Sequence, residues 1–132
     1  DPMGTVGDLL GARESRELVT VPSSAGVAEV IGLLKLYGVS QLPVVEGDKL
    51  IGIISEKQLL ERALTGNRSN IDVGSLAQPN YCTVDHDTNI AVLTDLFRRF
   101  KVAIVLEQGK PTNIITRIDL IDHISTSSKT QT

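Results

Sequence analysis

The sequence predicts an α/β protein in which one strand-helix-strand-strand-helix unit occurs twice. Thr-Val at 20–21 opens the first copy, and Thr-Val at 83–84 opens the second, 63 residues later. At the end of the copies Ser55 aligns with Thr116, an offset of 61 residues, so the second copy is shorter by two residues near Gly38. Two copies in a chain of 132 residues indicate a pseudo-twofold pair, because neither half is large enough to form a stable hydrophobic core alone.

The first copy contains a helix, a β-hairpin and a second helix. Apolar residues recur at helical spacing within GVAEVIGLLKLYG, and Gly38 is a natural C-terminal stop. Apolar runs at 42–45 and 50–54 flank the turn Glu-Gly-Asp-Lys at 46–49 and predict a hairpin with largely buried strands. Ser55 then begins a helix that Gly66 ends.

The second copy repeats this order. Asp87 or Thr88 is predicted to cap its first helix, the strands are expected at 102–106 and 113–115, and Thr116 opens the last helix. Similar stretches precede the copies, VGDLL at 6–10 and VGSLA at 73–77. The predicted organisation is a first domain at 1–66 with an N-terminal lead-in, a second at 67–126 whose first residues (67–72) form the link, and a disordered polar tail at 127–132.

Composition excludes several function classes. Thirteen basic against 16 acidic residues give a net charge of −3, and aromatic residues make up 3% of the chain, which argues against a nucleic-acid partner. A single cysteine excludes an internal disulfide framework. No apolar run approaches the roughly 20 residues that span a bilayer, and no signal peptide is evident. We therefore expect a cytoplasmic protein with no membrane or nucleic-acid partner, and a start at Asp1 that suggests an excised fragment.

No catalytic constellation emerges. Neither His86 nor His123 has a glycine-framed nucleophile beside it. Cys82 begins a predicted strand and is interpreted as a small buried core residue. Asp85-His86-Asp87 is more typical of a polar turn before a helix than of a metal site. The sequence contains no phosphate-binding glycine motif, and the chain is predicted not to be an enzyme.

The informative positions lie where a strand passes into a helix. The first copy has IISEKQ, with Ser55 and Gln58, and the second has IITRID, with Thr116 and Asp119. One interpretation is a capping box, in which the hydroxyl and the side chain three residues later satisfy backbone N–H groups. The other is a ligand site, because a helix N-terminus attracts anions and a carboxylate can accept hydrogen bonds from two ribose hydroxyls.

The pattern GVSQLPVV, a turn, then LIGIISEKQ, with IITRID in the second copy, resembles the CBS domain. A pair of such domains covers nearly the whole chain. The resemblance implies binding of an adenosine-containing small molecule, such as AMP, ATP or S-adenosylmethionine, between the two domains, and no cofactor of the fragment itself. It also implies regulation of an attached enzyme or transporter and association as a homodimer through the CBS domains.

Carried over residue by residue, the resemblance assigns ribose binding to Asp119 and the preceding hydroxyl to Thr116. The remaining predicted ligand-binding residues are Glu17, Leu18, Val39, Gln41, Leu42, Ile114 and Ile118, although Val39, Leu42 and Ile118 could equally be plain core. In the first copy Gln58 stands where the family expects an acid, and the second copy has Ile104 where the first has Pro43. One working site and one degenerate site are therefore predicted.

The ending TRIDLIDHI and the unequal sites resemble the C-terminal regulatory region of the cystathionine β-synthase family. That resemblance implies S-adenosylmethionine as effector and a pyridoxal-phosphate catalytic domain outside this fragment. The cluster of Arg98, Arg99 and Lys101 is interpreted as a solvated helix end. Two alternatives stay open: a ligand-free dimerisation module, and an AMP or ATP energy sensor of another enzyme or transporter.

Overall fold

The computed structural model describes residues 4–65 and 71–130, with the backbone alone for 127–130. In chain order the elements are α1 (Val6–Ala12), β1 (Val21–Pro22), α2 (Val27–Tyr37), β2 (Gln41–Glu46), β3 (Lys49–Ser55), α3 (Glu56–Leu64), a 3-10 turn (Val73–Ser75), β4 (Cys82–Val84), α4 (Ile90–Leu96), β5 (Val102–Glu107), β6 (Lys110–Thr116) and α5 (Arg117–Thr130). The two repeats and the α/β class are confirmed. Within the described ranges, no helix is long and apolar enough to cross a membrane.

The chain divides into two compact units. The first-repeat unit comprises Val19–Pro79, and the second-repeat unit comprises Asp1–Leu18 together with Asn80–Thr132. Each unit contains a three-stranded sheet in which the first strand runs parallel to the middle strand and the hairpin is antiparallel. Both hairpins carry an irregularity in the middle strand, at Val44/Val45 and at Val105/Leu106.

The core of the first-repeat unit lies between α2, α3 and the sheet. In α2, Val30 and Leu34 are buried one helical turn apart, as the apolar spacing predicts. Gly38 ends α2 with φ 64°, in the left-handed region that glycine adopts without strain. The buried residues of this core are Val21, Ala25, Val30, Leu34, Leu42, Val44, Ile54, Leu59 and Val73.

The core of the second-repeat unit includes residues from the start of the chain. Val6 and Leu9 of α1 are fully buried beside Ile90 and Leu93 of α4. The N–H of Val6 donates to the carbonyl of Thr88 at 2.7 Å, so the backbone is tied as well as the side chains. This helix therefore belongs spatially to the second repeat.

The lead-in stretches are thus exchanged between the repeats. The stretch before the second repeat is bound in the first-repeat unit, where Val73 N–H donates to Ala25 O at 2.8 Å and Gly74 N–H to Ser23 O at 2.9 Å. The sequence prediction had grouped residues 1–66 as one domain, and the packing of residues 1–18 differs from that grouping. The reason is tertiary: the apolar side chains of α1 are buried against the other repeat's helix and sheet.

Local details also differ from the predictions. The N-cap of α4 is Asn89, whose Oδ1 accepts from the Ala91 N–H at 2.8 Å, rather than Asp87 or Thr88. Thr88 instead closes the preceding turn by accepting from the Asp85 N–H. The second hairpin strand runs over Lys110–Thr116, longer than predicted.

The end of the chain departs from the predicted disordered tail. Helix α5 continues through residues 127–130, because no glycine or proline interrupts it and each added residue contributes one backbone hydrogen bond. Gly66, linker residues 67–70 and tail residues 131–132 lie outside the described residues.

Candidate functional site

The start of α5 brings Thr116 and Asp119 together. Asp119 Oδ2 accepts from the Thr116 backbone N–H at 2.9 Å and from its Oγ1 hydroxyl at 3.2 Å. The strand β6 ends at Thr116 and α5 begins one residue later, so the carboxylate lies at the helix N-terminus. That position favours negative charge, and the side chain is only 16% exposed.

Two arginines in the segment that follows α1 neutralise this carboxylate. Arg16 Nη2 donates to Asp119 Oδ1 at 3.0 Å, and Arg13 Nη1 lies 3.3 Å from Oδ2. Arg13 Nη1 is an ion-pair contact rather than an aligned hydrogen bond, since it lacks hydrogen-bond geometry to any acceptor. Arg13 Nη2 donates to Asn113 Oδ1 at 3.4 Å. Both carboxylate oxygens are therefore in contact with a guanidinium.

The two arginines differ in exposure. The Arg13 side chain is 15% exposed, whereas that of Arg16 is 55% exposed. Burial lowers the pKa of the Arg13 guanidinium, the nearby Arg16 cation lowers it further, and Asp119 opposes both effects. Arg13 is thus a desolvated cation that depends on Asp119, while Arg16 is a solvated one.

A cleft of about 410 Å³ adjoins this cluster between α1 and α5. Leu9 and Ala12 of α1 contribute apolar side chains to it. The lining residues are Leu9, Ala12, Arg13, Arg16, Asp119, Asp122, His123 and Thr126. The cleft offers cationic and anionic groups side by side, an arrangement suited to a ligand with both hydroxyl donors and negative charge.

The other predicted site residues of the second-repeat unit differ in burial. Ile114 is partly buried and pairs with Ile104 in the sheet. Ile118 is 61% exposed on α5, so the plain-core alternative does not fit it. Glu17 is exposed and Leu18 is partly buried, without regular secondary structure.

The predicted adenine-pocket residues Val39, Gln41 and Leu42 belong to the first-repeat unit. Leu42 is buried in that unit's core, so the core alternative accounts for its side chain. Val39 is 39% exposed and is not core. Gln41 is partly buried and pairs with Ser55 in the sheet.

The equivalent box of the first repeat is closed differently. Ser55 N–H and Oγ–H donate to Gln58 Oε1 at 2.9 and 3.1 Å, and Gln58 N–H donates to Ser55 Oγ at 3.3 Å. The amide Nε2 of Gln58 donates to the Leu76 carbonyl at 2.7 Å, in the lead-in bound by this unit. Both ends of the Gln58 side chain are therefore used within the protein.

Arg13 and Arg16 were missed by the sequence reasoning. The two similar lead-in stretches are visible in the sequence as a repeat, but no local pattern indicates that each is bound by the other repeat. The available signal was that Arg13 and Arg16 follow the first lead-in stretch, while Asp119 is the one acidic residue at the equivalent positions of the two strand-to-helix boxes.

The remaining candidates have structural explanations. Cys82 is buried in the core, as predicted, and burial raises the pKa of its thiol. Asp85 Oδ1 accepts from the Asp87 N–H at 2.8 Å, which makes the acidic stretch a closed turn. In the part of the chain that the structure describes, no group of three or more metal-binding side chains is assembled. Arg98 pairs with Asp95 at 3.6 Å at the exposed end of α4.

Comparison with known proteins places these features in a family. The CBS domain family model matches twice, at residues 6–65 and 73–126. An A-adding tRNA nucleotidyltransferase of Geobacter sulfurreducens is 26% identical over 131 residues, which cover 98% of this chain and 14% of that protein. A cystathionine beta-synthase of Dictyostelium discoideum is 28% identical over 118 residues, 84% of this chain and 24% of that protein. The chain thus spans less than a quarter of either relative.

Solved structures agree in fold. CBSX2 from Arabidopsis thaliana superposes with a TM-score of 0.79 at 26% identity and covers 96% of this chain and 97% of its own. A structure of CBSX2 in complex with AMP gives a TM-score of 0.72 at 25% identity, covering 95% and 98%. With two matched repeats, two matching sheets and full-length structural similarity, the chain belongs to the CBS domain family and carries a tandem pair of CBS domains.

Proposed function

We propose that this CBS pair binds an adenosine-containing ligand at Asp119 and Thr116 and thereby controls an attached enzyme. The observation that carries the proposal is a carboxylate that is held at the N-terminus of α5 by Thr116 and whose second oxygen accepts from the solvated Arg16. The ligand classes are S-adenosylmethionine and the adenine nucleotides AMP and ATP. The attached enzyme would be of the cystathionine β-synthase kind.

The chemistry of the carboxylate supports a ribose contact. An ionised aspartate is acceptor-only, and each of its oxygens offers two lone pairs to hydroxyl donors such as the ribose 2′ and 3′ groups. Oδ2 is already oriented by Thr116, which leaves Oδ1 to be shared or exchanged. Charge-assisted hydrogen bonds of this kind contribute about 1.5–3 kcal/mol each.

Family evidence supports the ligand class. CBSX2, a structural neighbour at 25% identity, was solved in complex with AMP. In both the matched cystathionine beta-synthase and the matched tRNA nucleotidyltransferase, more than three-quarters of the length lies outside the matched region. Regulation of a separate catalytic domain is therefore a natural role for this module, since ligand can shift a partner's geometry through differential affinity for two states.

A single site per chain is part of the proposal. In the first repeat Gln58 lacks the negative charge, and its amide group is engaged by the Leu76 carbonyl at 2.7 Å. The adenine half of the site is proposed to use Glu17, Leu18, Val39, Gln41 and Leu42, with Ile114 and Ile118 beside Asp119, as the family resemblance implies.

Isothermal titration with S-adenosylmethionine, AMP and ATP in turn tests the function. Binding near one ligand per chain is expected, with strong weakening in Asp119→Asn and none in Asp95→Asn, an exposed aspartate paired with Arg98. Preference for S-adenosylmethionine would favour a cystathionine β-synthase-like host, whereas preference for AMP or ATP would favour an energy sensor. Absence of binding by all three would contradict the proposal.

A ligand-free dimerisation module is the second candidate. Leu60 and Leu64 of α3 are exposed, and a mainly apolar groove of about 600 Å³ lies between α2 and α3. Apolar surface of this kind often marks an interface between proteins. Sedimentation equilibrium of the unliganded chain would show a dimer, and Leu60→Glu would shift it toward monomer.

A further inference from the structure

One turn of the second-repeat unit binds the backbone of the first lead-in stretch (residues 6–10). The N–H of Val6 donates to the Thr88 carbonyl at 2.7 Å, and the N–H of Gly7 donates to the His86 carbonyl at 2.9 Å. The Val6 side chain is fully buried, and Leu9 is buried in the same core. A valine-glycine dipeptide is therefore held by two carbonyls and by apolar packing.

The first-repeat unit binds the second lead-in stretch (residues 73–77) in the same way. The N–H groups of Val73 and Gly74 donate to the carbonyls of Ala25 and Ser23, at 2.8 and 2.9 Å. These two carbonyl residues precede their counterparts in the second repeat by 63 residues, the offset that relates the starts of the two copies. Val73 is fully buried, and Leu76 packs against the same core. Each repeat therefore has one binding site for the sequence Val-Gly-x-Leu, formed by its two carbonyls and the adjoining core, which we name its Val-Gly site.

The glycine of the motif is required because two backbones approach closely. A Cβ added at Gly7 would lie 3.1 Å from the His86 carbonyl oxygen, and one added at Gly74 would lie 2.8 Å from the Ser23 Cβ. Gly11, in the same helix α1 as Gly7, has open space at its Cβ position. The Val-Gly sites therefore discriminate by sequence, since a larger residue at the glycine position forces the segment away from the carbonyls.

The segment that carries the first lead-in stretch can be exchanged between two copies of the chain without loss of these contacts. Residues 1–18 belong to the second-repeat unit, and the chain passes into the first-repeat unit at Val19. Residues 14–20 form no helix or strand, so a change of direction there breaks no helix or sheet hydrogen bonds. A segment supplied by another copy makes the same noncovalent contacts, so the balance between the two arrangements depends on protein concentration.

We propose that the Val-Gly site of the second-repeat unit is an exchangeable docking site, which accepts residues 1–18 of a second copy of the chain. In the resulting dimer each copy supplies Val6 and Leu9 to the core of the other's second-repeat unit. The exchanged segment also carries Arg16, which donates to Asp119 Oδ1. Association through the groove between α2 and α3 is different, because it leaves residues 1–18 in their own copy. The exchange requires no adenosine ligand, so it stands or fails independently of the proposed function.

A fluorescent peptide of residues 1–18 measures docking from outside the chain. The acceptor is the full chain with Val6→Asp, in which a charge at a fully buried position disables the chain's own segment. Fluorescence anisotropy should show saturable binding of the wild-type peptide, and the Gly7→Ala peptide should bind at least about tenfold more weakly because of the forced contact. The Gly11→Ala peptide is the matched control and should bind at least as tightly as the wild-type peptide. Equal binding of the Gly7→Ala and wild-type peptides, or binding of neither to a folded acceptor, would overturn the inference.

Mixed disulfides test the exchange between complete chains. Thr5 and Asn89 face each other in an antiparallel bridge, a spacing within the reach of a disulfide. Thr5→Cys on one chain therefore meets Asn89→Cys on another only after exchange. Both chains carry Cys82→Ala, and they are refolded together from urea at increasing concentration and then oxidised. A chain with Arg98→Cys in place of Thr5→Cys gives the background of random collisions, since Arg98 is exposed.

The yield of covalent heterodimer should exceed this background and should rise with protein concentration during refolding. Adding Val6→Asp to the Thr5→Cys chain should return the yield to the background. Leu60→Glu, on the groove between α2 and α3, should leave it unchanged. A yield at the background level at every concentration would overturn the inference, and this assay decides alone if the Val6→Asp acceptor does not fold.

Discussion

Neutralising Asp119 should destabilise the second-repeat unit as well as weaken ligand binding. In Asp119→Asn the amide oxygen can still accept from the Thr116 N–H, so the cap at α5 is largely kept. What is lost is the charge 3.3 Å from Arg13, a guanidinium that is only 15% exposed. An incompletely paired, largely buried charge costs about 1–3 kcal/mol, and the exposed Arg16 pair adds about 0–1 kcal/mol. We expect the free energy of unfolding to fall by about 2 kcal/mol.

Urea unfolding followed by far-ultraviolet circular dichroism measures this loss. A fall in the midpoint at constant slope would attribute the change to stability rather than to a more compact unfolded chain. Asp95→Asn is the matched control, because the Asp95–Arg98 pair is exposed and should change stability by less than about 0.5 kcal/mol. If the two variants lose equally little, Asp119 does not neutralise a desolvated Arg13. If Asp119→Asn binds AMP as wild type does, the ribose assignment is wrong.

Three further predictions concern packing, protonation and the first repeat. Gly52→Ala should lower the free energy of unfolding by about 2 kcal/mol, because the added Cβ would lie 2.7 Å from that of Ala77. Gly32→Ala, in open space on α2, should instead raise it by about 0.5–1 kcal/mol. Urea unfolding midpoints measure both changes, and equal effects would refute the contact at Gly52. Because burial raises the pKa of the Cys82 thiol above 9.0, its contribution to folding is complete below that value and lost as pH rises through the higher folded-state pKa. Wild-type unfolding free energy should therefore decline more steeply than that of Cys82→Ala above pH 9, and parallel pH curves would contradict this. Gln58→Asp should not create a second ligand site, because a carboxylate only accepts and cannot replace the amide that donates to the Leu76 carbonyl, so the local structure is lost rather than converted. Titration that gives two ligands per chain in this variant would contradict the prediction.

Much of the fold was predictable from local patterns. The spacing of apolar residues in α2, the glycine at its end and the two hairpins are encoded within short segments, so the sequence was sufficient to place them. The box at Thr116 and Asp119 was predictable for the same reason, because its partners are three residues apart.

The contacts that the sequence did not reveal are long-range. Arg13 and Arg16 are more than a hundred residues from Asp119 along the chain, and they reach it only because α1 is bound by the second repeat. The Asn89 cap was missed because several neighbouring residues could cap a helix, and the geometry of the turn decides among them. The extension of α5 was not predicted because a polar composition is typical of a disordered tail, whereas the absence of glycine and proline lets the helix continue.

Within residues 4–65 and 71–130, a hydroxyl followed three residues later by an acceptor occurs at the start of three helices, and the pattern alone does not distinguish their roles. Thr5 and Asp8 form it at α1, as Ser55 and Gln58 do at α3. What differs is the group that holds the acceptor's remaining atoms. The Gln58 amide is held by a backbone carbonyl, which has no freedom to leave. Asp119 Oδ1 accepts instead from Arg16, a solvent-exposed arginine whose ion pair contributes about 0–1 kcal/mol. The groups around the acceptor, rather than the box itself, therefore distinguish Asp119 from Gln58 as a candidate for ligand binding, and the segment that supplies Arg13 and Arg16 belongs to the candidate site.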